Sequence, residues 1–362
     1  MNYHLDPHGE MILQQFRDRL PALKRMDELV YQNLCKALEE QGLYVTSIEH
    51  RVKEEGSLAG KLIRKGHKYG DLFSLTDLVG IRVITFYTDD VDKVAAIVKR
   101  AFDVDWKESV DKRKLHELDS FGYNSLHYIC RLPKRVVDDP KMPELNTIRF
   151  EVQMRTALQH VWSTIEHDTG YKGDVKIPRE YVRQFSRLAG VLELIDDEFS
   201  RMRATLTDYR RRVKSLVDSG KLDDVELDSE SFRSYLNLHP FDRLNKRIAA
   251  VNQAEIYPAS LYPFIGVFES FGFTTLGDID RFIAIHSDDA YQLALSQLAL
   301  TDLDILSENV GLLNLCIVHA LKKGGKPSLQ LMYEKLYGRS PLTDELVNLT
   351  YDQALPLSFM KK

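Results

Sequence analysis

A chain of 362 residues, 44% hydrophobic and 28% charged, has the composition of a folded globular protein with room for two cores. Its net charge of −5 excludes electrostatic nucleic-acid binding by the molecule as a whole, so any polyanion site must be a local basic patch. Its three cysteines, Cys35, Cys130 and Cys316, form no CxxC pair, which argues against a disulfide framework or a cysteine zinc site and favours a reducing cytoplasm. The first residues lack a basic stretch followed by an apolar run, and no apolar run is long enough to span a bilayer, so neither a secretory leader nor a membrane partner is expected.

Residues 8–42 place Ile12, Phe16, Leu23, Leu34 and Leu38 near helical spacing, with Pro21 expected to break or kink the run and Gly42 to stop it. Residues 43–53 are β-branched and alternating, a strand with Glu49, Arg51 and Lys53 on one face. Residues 57–68 read as a basic helix capped by Ser57 and ended by Gly66. Arg51, Lys53, Lys61, Arg64, Lys65 and Lys68 crowd this region against only Glu54 and Glu55. Such a run is either a solvated helix face or a cradle for a triphosphate.

Val79–Tyr87 is a nearly continuous apolar run, expected to be a central strand buried on both faces. Asp77 stands at its mouth, where an aspartate either caps a turn or holds magnesium. Arg82 inside it needs a carboxylate or phosphate partner. Asp89–Phe102 reads as an amphipathic helix with Asp89 or Asp90 as cap, Val104–Leu118 as charged and irregular, and Phe121–Leu132 as a strand. On that strand Tyr123, Ser125 and His127 share one face. Tyr123 there either stacks on a base or packs in the core.

Thr147–Thr156 alternates strictly: Ile148, Phe150, Val152 and Met154 on one face, Arg149, Glu151, Gln153 and Arg155 on the other. A carboxylate flanked by an amide and two guanidinium groups suits a metal-bound phosphate, and equally an amphipathic strand at a solvated edge. The next eleven residues read as a helix carrying His160, Trp162, Glu166 and His167. Residues 178–218 form a long charged helix with one apolar stripe, suited to packing across the domain or against a partner. The acidic stretch 219–231 reads as a linker between a first domain (1–218) and a helical second domain (232–362). The second has a core helix at Ser307–Leu321, and its Ser287-Asp-Asp289 is a helix cap or a cation ligand.

Five segments in order resemble the synthetase domain of the RelA/SpoT family, in particular its small, single-activity alarmone synthetases. They are Glu49-His-Arg-Val-Lys53; Ser57 with Lys61-Leu-Ile-Arg-Lys65; Asp77-Leu-Val-Gly-Ile-Arg-Val83; Gly122-Tyr-Asn-Ser-Leu-His127; and Glu151-Val-Gln-Met-Arg-Thr156 with Trp162, Glu166-His167 and Tyr171-Lys172. The resemblance implies an α+β, nucleotidyltransferase-like mixed sheet flanked by helices, followed here by an all-α domain. It implies transfer of the β,γ-pyrophosphate of ATP to the 3′-hydroxyl of GDP or GTP, with release of AMP. Asp77 and Glu151 would hold Mg²⁺ as the catalytic pair, Glu151 also serving as general base. Arg51, Lys53, Ser57, Lys61, Arg64 and Lys65 would bind ATP. Tyr123, Asn124, His127, Gln153 and Arg155 would line the acceptor side. Asn124 departs from the family's arginine, and Val110–Phe121 from its usual segment. Acceptors therefore include the tRNA 3′ CCA end used by toxic relatives, with residues 232–362 as a regulatory or oligomerisation domain, possibilities that include a homo-oligomer. No hydrolase half is expected, because about forty residues precede the first motif.

Overall fold

The computed structural model describes residues 4–114, 125–133, 143–169, 178–299 and 301–361. It divides into two compact units, Met1–Ala204 and Thr205–Lys362. The first unit is built on a mixed five-stranded sheet: β1 (Ser47–Val52), β2 (Val79–Thr85), β3 (Asp103–Asp111), β4 (Leu126–Arg131) and β5 (Phe150–Thr156). Spatial order is β1-β2-β5-β4-β3. Only the central β2–β5 pair is parallel. The flanking helices are α1 (Pro7–Glu40), α2 (Glu55–Lys65), α3 (Thr88–Ala101), α4 (Ala157–Asp168) and the start of α5 (Arg179–Asp218).

The sheet has one apolar face because its strands alternate in register. Ile81 pairs with Val152 and Val152 with Tyr128; Val79 pairs with Phe150 and Phe150 with Cys130. These side chains are buried in one cluster with α1 and α3. There Phe102 meets Phe150 edge-on at 5.1 Å between ring centroids, a contact worth about 1 kcal/mol beyond its buried area. The opposite face carries Glu49, Arg51, Gly80, Arg82, Glu151, Gln153 and His127, and the site is built there.

Several local expectations change. α1 runs unbroken through Pro21. α2 starts before Ser57, with Glu54 at its N-cap and no side-chain cap bond. β2 is not buried on both faces: Gly80 and Arg82 open onto the site, so the apolar run marks one core face and a second face only partly covered. α3 is capped at Tyr87, and Asp90 lies in its first turn, buried and held by Arg203. The stretch from Val104 contains edge strand β3, whose half-exposed, charged pattern hides its pairing with β4.

The second unit has its own core. Its elements are α6 (Ser229–Leu236), α7 (Asp242–Ala249), β6 (Glu255–Tyr257), α8 (Ile265–Phe271), α9 (Leu276–Leu298), β7 (Ile305–Ser307), α10 (Val310–Tyr337) and α11 (Pro341–Ala354). It is mostly helical, though β6 and β7 form a short parallel ladder that the all-α expectation lacked. Residues 219–231 are not a spacer. Val225 is buried in the core, Leu227 N–H donates to Thr274 O, and Asp228 caps α6. Ser287-Asp-Asp289 lies inside α9 as neither cap nor free ligand: Asp288 pairs with Arg247 and Asp289 with Lys322.

Candidate active site

The two carboxylates singled out by sequence share one cavity of about 270 Å³, lined also by Glu49, Arg51, Lys53, Arg82 and Gln153. The sheet register creates it. Arg51 pairs with Gly80 and Gly80 with Glu151, so a residue without a side chain sits between a cation and a carboxylate. A Cβ on Gly80 would meet nothing within 4 Å, so the glycine leaves open space on the cavity floor.

Asp77 precedes β2 and receives two ammonium groups. Lys53 Nζ lies 2.9 Å from Oδ2 and Lys61 Nζ 2.9 Å from Oδ1. Burial pushes the Asp77 carboxyl upward, but its bonds to Lys61 and Lys53 hold it below the usual carboxylate range. Burial likewise works against charge on Lys61, and Asp77 more than offsets it. Lys61 also lies 5.3 Å from the Tyr69 ring centroid.

Glu151 is held at both oxygens. His127 Nδ1 lies 2.7 Å from Oε1, and Gln153 Nε2 donates to Oε2 at 2.9 Å. Burial raises the Glu151 carboxyl and nearby Asp77 adds to that, yet the His127 and Gln153 bonds hold it below its ordinary value. With Glu151 ionised, a proton on His127 Nδ1 completes that bond, and Nε2 lies 2.7 Å from Ser125 Oγ. Ser125 is fully buried.

Lys53, Lys61, Arg51, His127 and Gln153 thus gather at or beside the cavity. Ser57, Arg64 and Lys65 of α2 are exposed and do not line the cavity, whereas Lys61 between them is half-buried against Asp77. Among the described residues no carboxylate pairs with Arg51, Arg64 or Lys65. Arg155 is 2% exposed, too buried to touch a ligand in this conformation. Tyr123, Asn124, Tyr171 and Lys172 lie outside the described residues.

Three contributors escaped the site assignment. Arg82 is half-buried and finds its partner in Glu49, at 2.5 Å. His160, from the first turns of α4, lies 3.7 Å from Glu49 Oε1, and burial and then Arg155 push its imidazole below the usual range. The alternation of residues 43–53 put Glu49 on the polar face, but nothing in the sequence showed that α4 returns over the sheet to bring His160 there.

Mg²⁺ fits this donor set. It favours a few carboxylate oxygens and completes its shell with water and substrate phosphate, and Asp77 and Glu151 are close enough to feel each other's charge. Among the described residues no three His, Cys, Asp or Glu side chains form a cage.

Comparison with known proteins agrees with the sequence motifs. Residues 50–176 match the family described as "Region found in RelA / SpoT proteins". The chain is 27% identical over 201 residues to GTP pyrophosphokinase YjbM of Bacillus subtilis (strain 168), covering 55% of this chain and 90% of that protein. It is 26% identical over 160 residues to GTP pyrophosphokinase YwaC of the same organism, covering 42% and 71%. Among solved structures, small alarmone synthetase 1 from Bacillus subtilis matches with a TM-score of 0.43 at 22% identity, over 54% of this chain and 98% of that one. A GTP pyrophosphokinase family protein from Streptococcus pneumoniae matches with a TM-score of 0.43 at 24% identity, over 54% and 94%.

Proposed function

We propose that the RelA/SpoT region of this chain is a pyrophosphokinase that moves the β,γ-diphosphate of ATP onto the 3′-hydroxyl of GDP or GTP, releasing AMP. One observation carries this reading: Asp77, clamped by two lysines, and Glu151, clamped by a histidine and an amide, line the same cavity. Phosphoryl-type transfer needs little from a protein beyond positioning and neutralisation of charge, and that pair with its cations offers both.

In the reaction the acceptor 3′-oxygen bonds to the β-phosphorus of ATP. The bond from that phosphorus to the α,β-bridging oxygen breaks, and AMP leaves with the oxygen. Glu151 takes the hydroxyl proton, a role for which its ionised state suits it. Asp77 and Glu151 would hold Mg²⁺, which when bound supplies positive charge to the phosphate oxygens. Arg51, which lines the cavity, takes the adenine side. Lys53 and Lys61 exchange Asp77 for phosphate oxygens as ATP enters, while Arg64 and Lys65 form an outlying basic flank. Ser57 begins that flank. His127 stands on the acceptor side, with Tyr123 and Asn124 preceding it in sequence.

The test is transfer from β,γ-labelled ATP. Label on GDP or GTP with matching AMP release is expected, and Glu151→Gln should abolish it in a folded protein. Label on deacylated tRNA alone would replace the nucleotide acceptor with the tRNA 3′ end.

A further inference from the structure

Gln153 lies in the middle of a polar chain across the sheet. Its carbonyl oxygen accepts from Arg155 Nη2 at 3.0 Å and, more weakly, from Arg82 Nε at 3.5 Å. Its amide nitrogen donates to Glu151 Oε2 at 2.9 Å. A flipped amide would set NH₂ against guanidinium donors and oxygen against a carboxylate. The two arginines therefore decide which end of Gln153 faces Glu151. Arg155 is buried in the sheet face, does not itself line the cavity, and bonds to Gln153, which does. Arg82 is anchored on its far side by Glu49.

We propose that Gln153 and Arg155 are positioning residues for Glu151, rather than contacts to the acceptor: Arg155 orients the Gln153 amide, and that amide, opposite His127, fixes the Glu151 carboxylate. With one oxygen bonded to His127 and the other to Gln153, the carboxylate has one orientation, and its remaining lone pairs have fixed directions. The role presupposes the transfer reaction proposed above, but its structural part does not depend on it.

Full-length Gln153→Met keeps side-chain length and loses the amide. Gln153→Glu keeps an acceptor for Arg155 and Arg82 but replaces the donor with a repelling carboxylate. A nucleotide-free crystal structure of Gln153→Met should show the Glu151 carboxylate rotated from its present position on an unchanged strand. Both variants should lose roughly 10- to 100-fold in kcat, while KM for GDP or GTP changes less than about threefold. Arg155→Lys, which retains a donor, should lose less than either. Glu151 unmoved in Gln153→Met overturns the proposal, and so does an acceptor KM that rises at unchanged kcat, the mark of direct contact. A wild-type protein that transfers nothing, with Glu151 displaced in the variant, would discard the reaction and keep the positioning role.

Discussion

The ammonium of Lys61, from α2, lies 2.9 Å from the carboxylate of Asp77, ahead of β2, and Lys53 closes on the same carboxylate from the end of β1. Three elements of the first unit are tied at one aspartate. Asp77→Asn should therefore have two effects. Transfer should fall on the order of 10³-fold, measured with labelled ATP. Urea unfolding should show a loss of about 1–3 kcal/mol, because two poorly exposed ammonium groups lose their charged partner.

Gly80 allows function to be separated from stability. Its Cβ direction is open and its φ is not in the left-handed region, so a β-branched residue fits the strand. Gly80→Val should alter stability by less than roughly 1 kcal/mol while its side chain fills part of the cavity. Equilibrium binding of a non-hydrolysable ATP analogue should weaken at least about tenfold at an unchanged melting temperature. Unchanged binding would place the nucleotide elsewhere.

Asp196, on α5, is 1% exposed and accepts from Thr156 Oγ1 at 2.6 Å, beside the start of α4. Burial pushes its carboxyl up to about 6. The folded state thus holds a proton that the unfolded state releases at lower pH. The associated stability is complete below the ordinary aspartate value near 4 and is lost as pH rises through about 6. Subtracting melting curves of Asp196→Asn from those of wild type across pH 4–8 should isolate a fall confined to that window. A flat difference would mean that Asp196 stays ionised in the fold.

Arg203 makes a two-pronged pair with Asp90, at 2.5 and 3.0 Å, and stacks 4.0 Å from the Tyr87 ring centroid. It fastens α5 to the start of α3. Asp90 is buried and keeps Lys93 at 2.8 Å when the arginine is removed, which limits the damage. Arg203→Ala should cost about 2 kcal/mol in chemical denaturation, less than a buried carboxylate left alone.

The division between units falls inside α5, at 204/205, whereas the acidic stretch invites a cut near 218. Val213 and Val217 belong to the second unit's core. Residues 1–204 expressed alone should fold and retain transfer, measured by circular dichroism and labelled ATP. A fragment unfolded at 25 °C would refute its independence.

Much of the site was legible because strand alternation is a local property. Glu151 and Gln153 face the cavity as the pattern of 147–156 requires, and Glu49, Arg51 and Lys53 follow from 43–53 in the same way. Arg155 shares their face but not their exposure, because that end of the sheet is covered, and covering is a tertiary fact. Edge strand β3 was lost for a related reason: with little apolar surface to bury it leaves no periodic trace, and pairing alone defines it. Asp90 looked like a surface cap because its partner Arg203 stands more than a hundred residues away.

β5 is the last strand of the sheet in sequence and its middle strand in space, between β2 and β4. Glu151 and Asp77 are separated by the whole of α3, β3 and β4, so no local hairpin can bring them together. Loop closure over that distance is unfavourable until the central parallel pair forms, which makes site assembly a late step in folding. On the ribosome, a nascent chain cannot bring Asp77 and Glu151 together until β5 has emerged and inserted, so an unfinished first unit lacks the cavity.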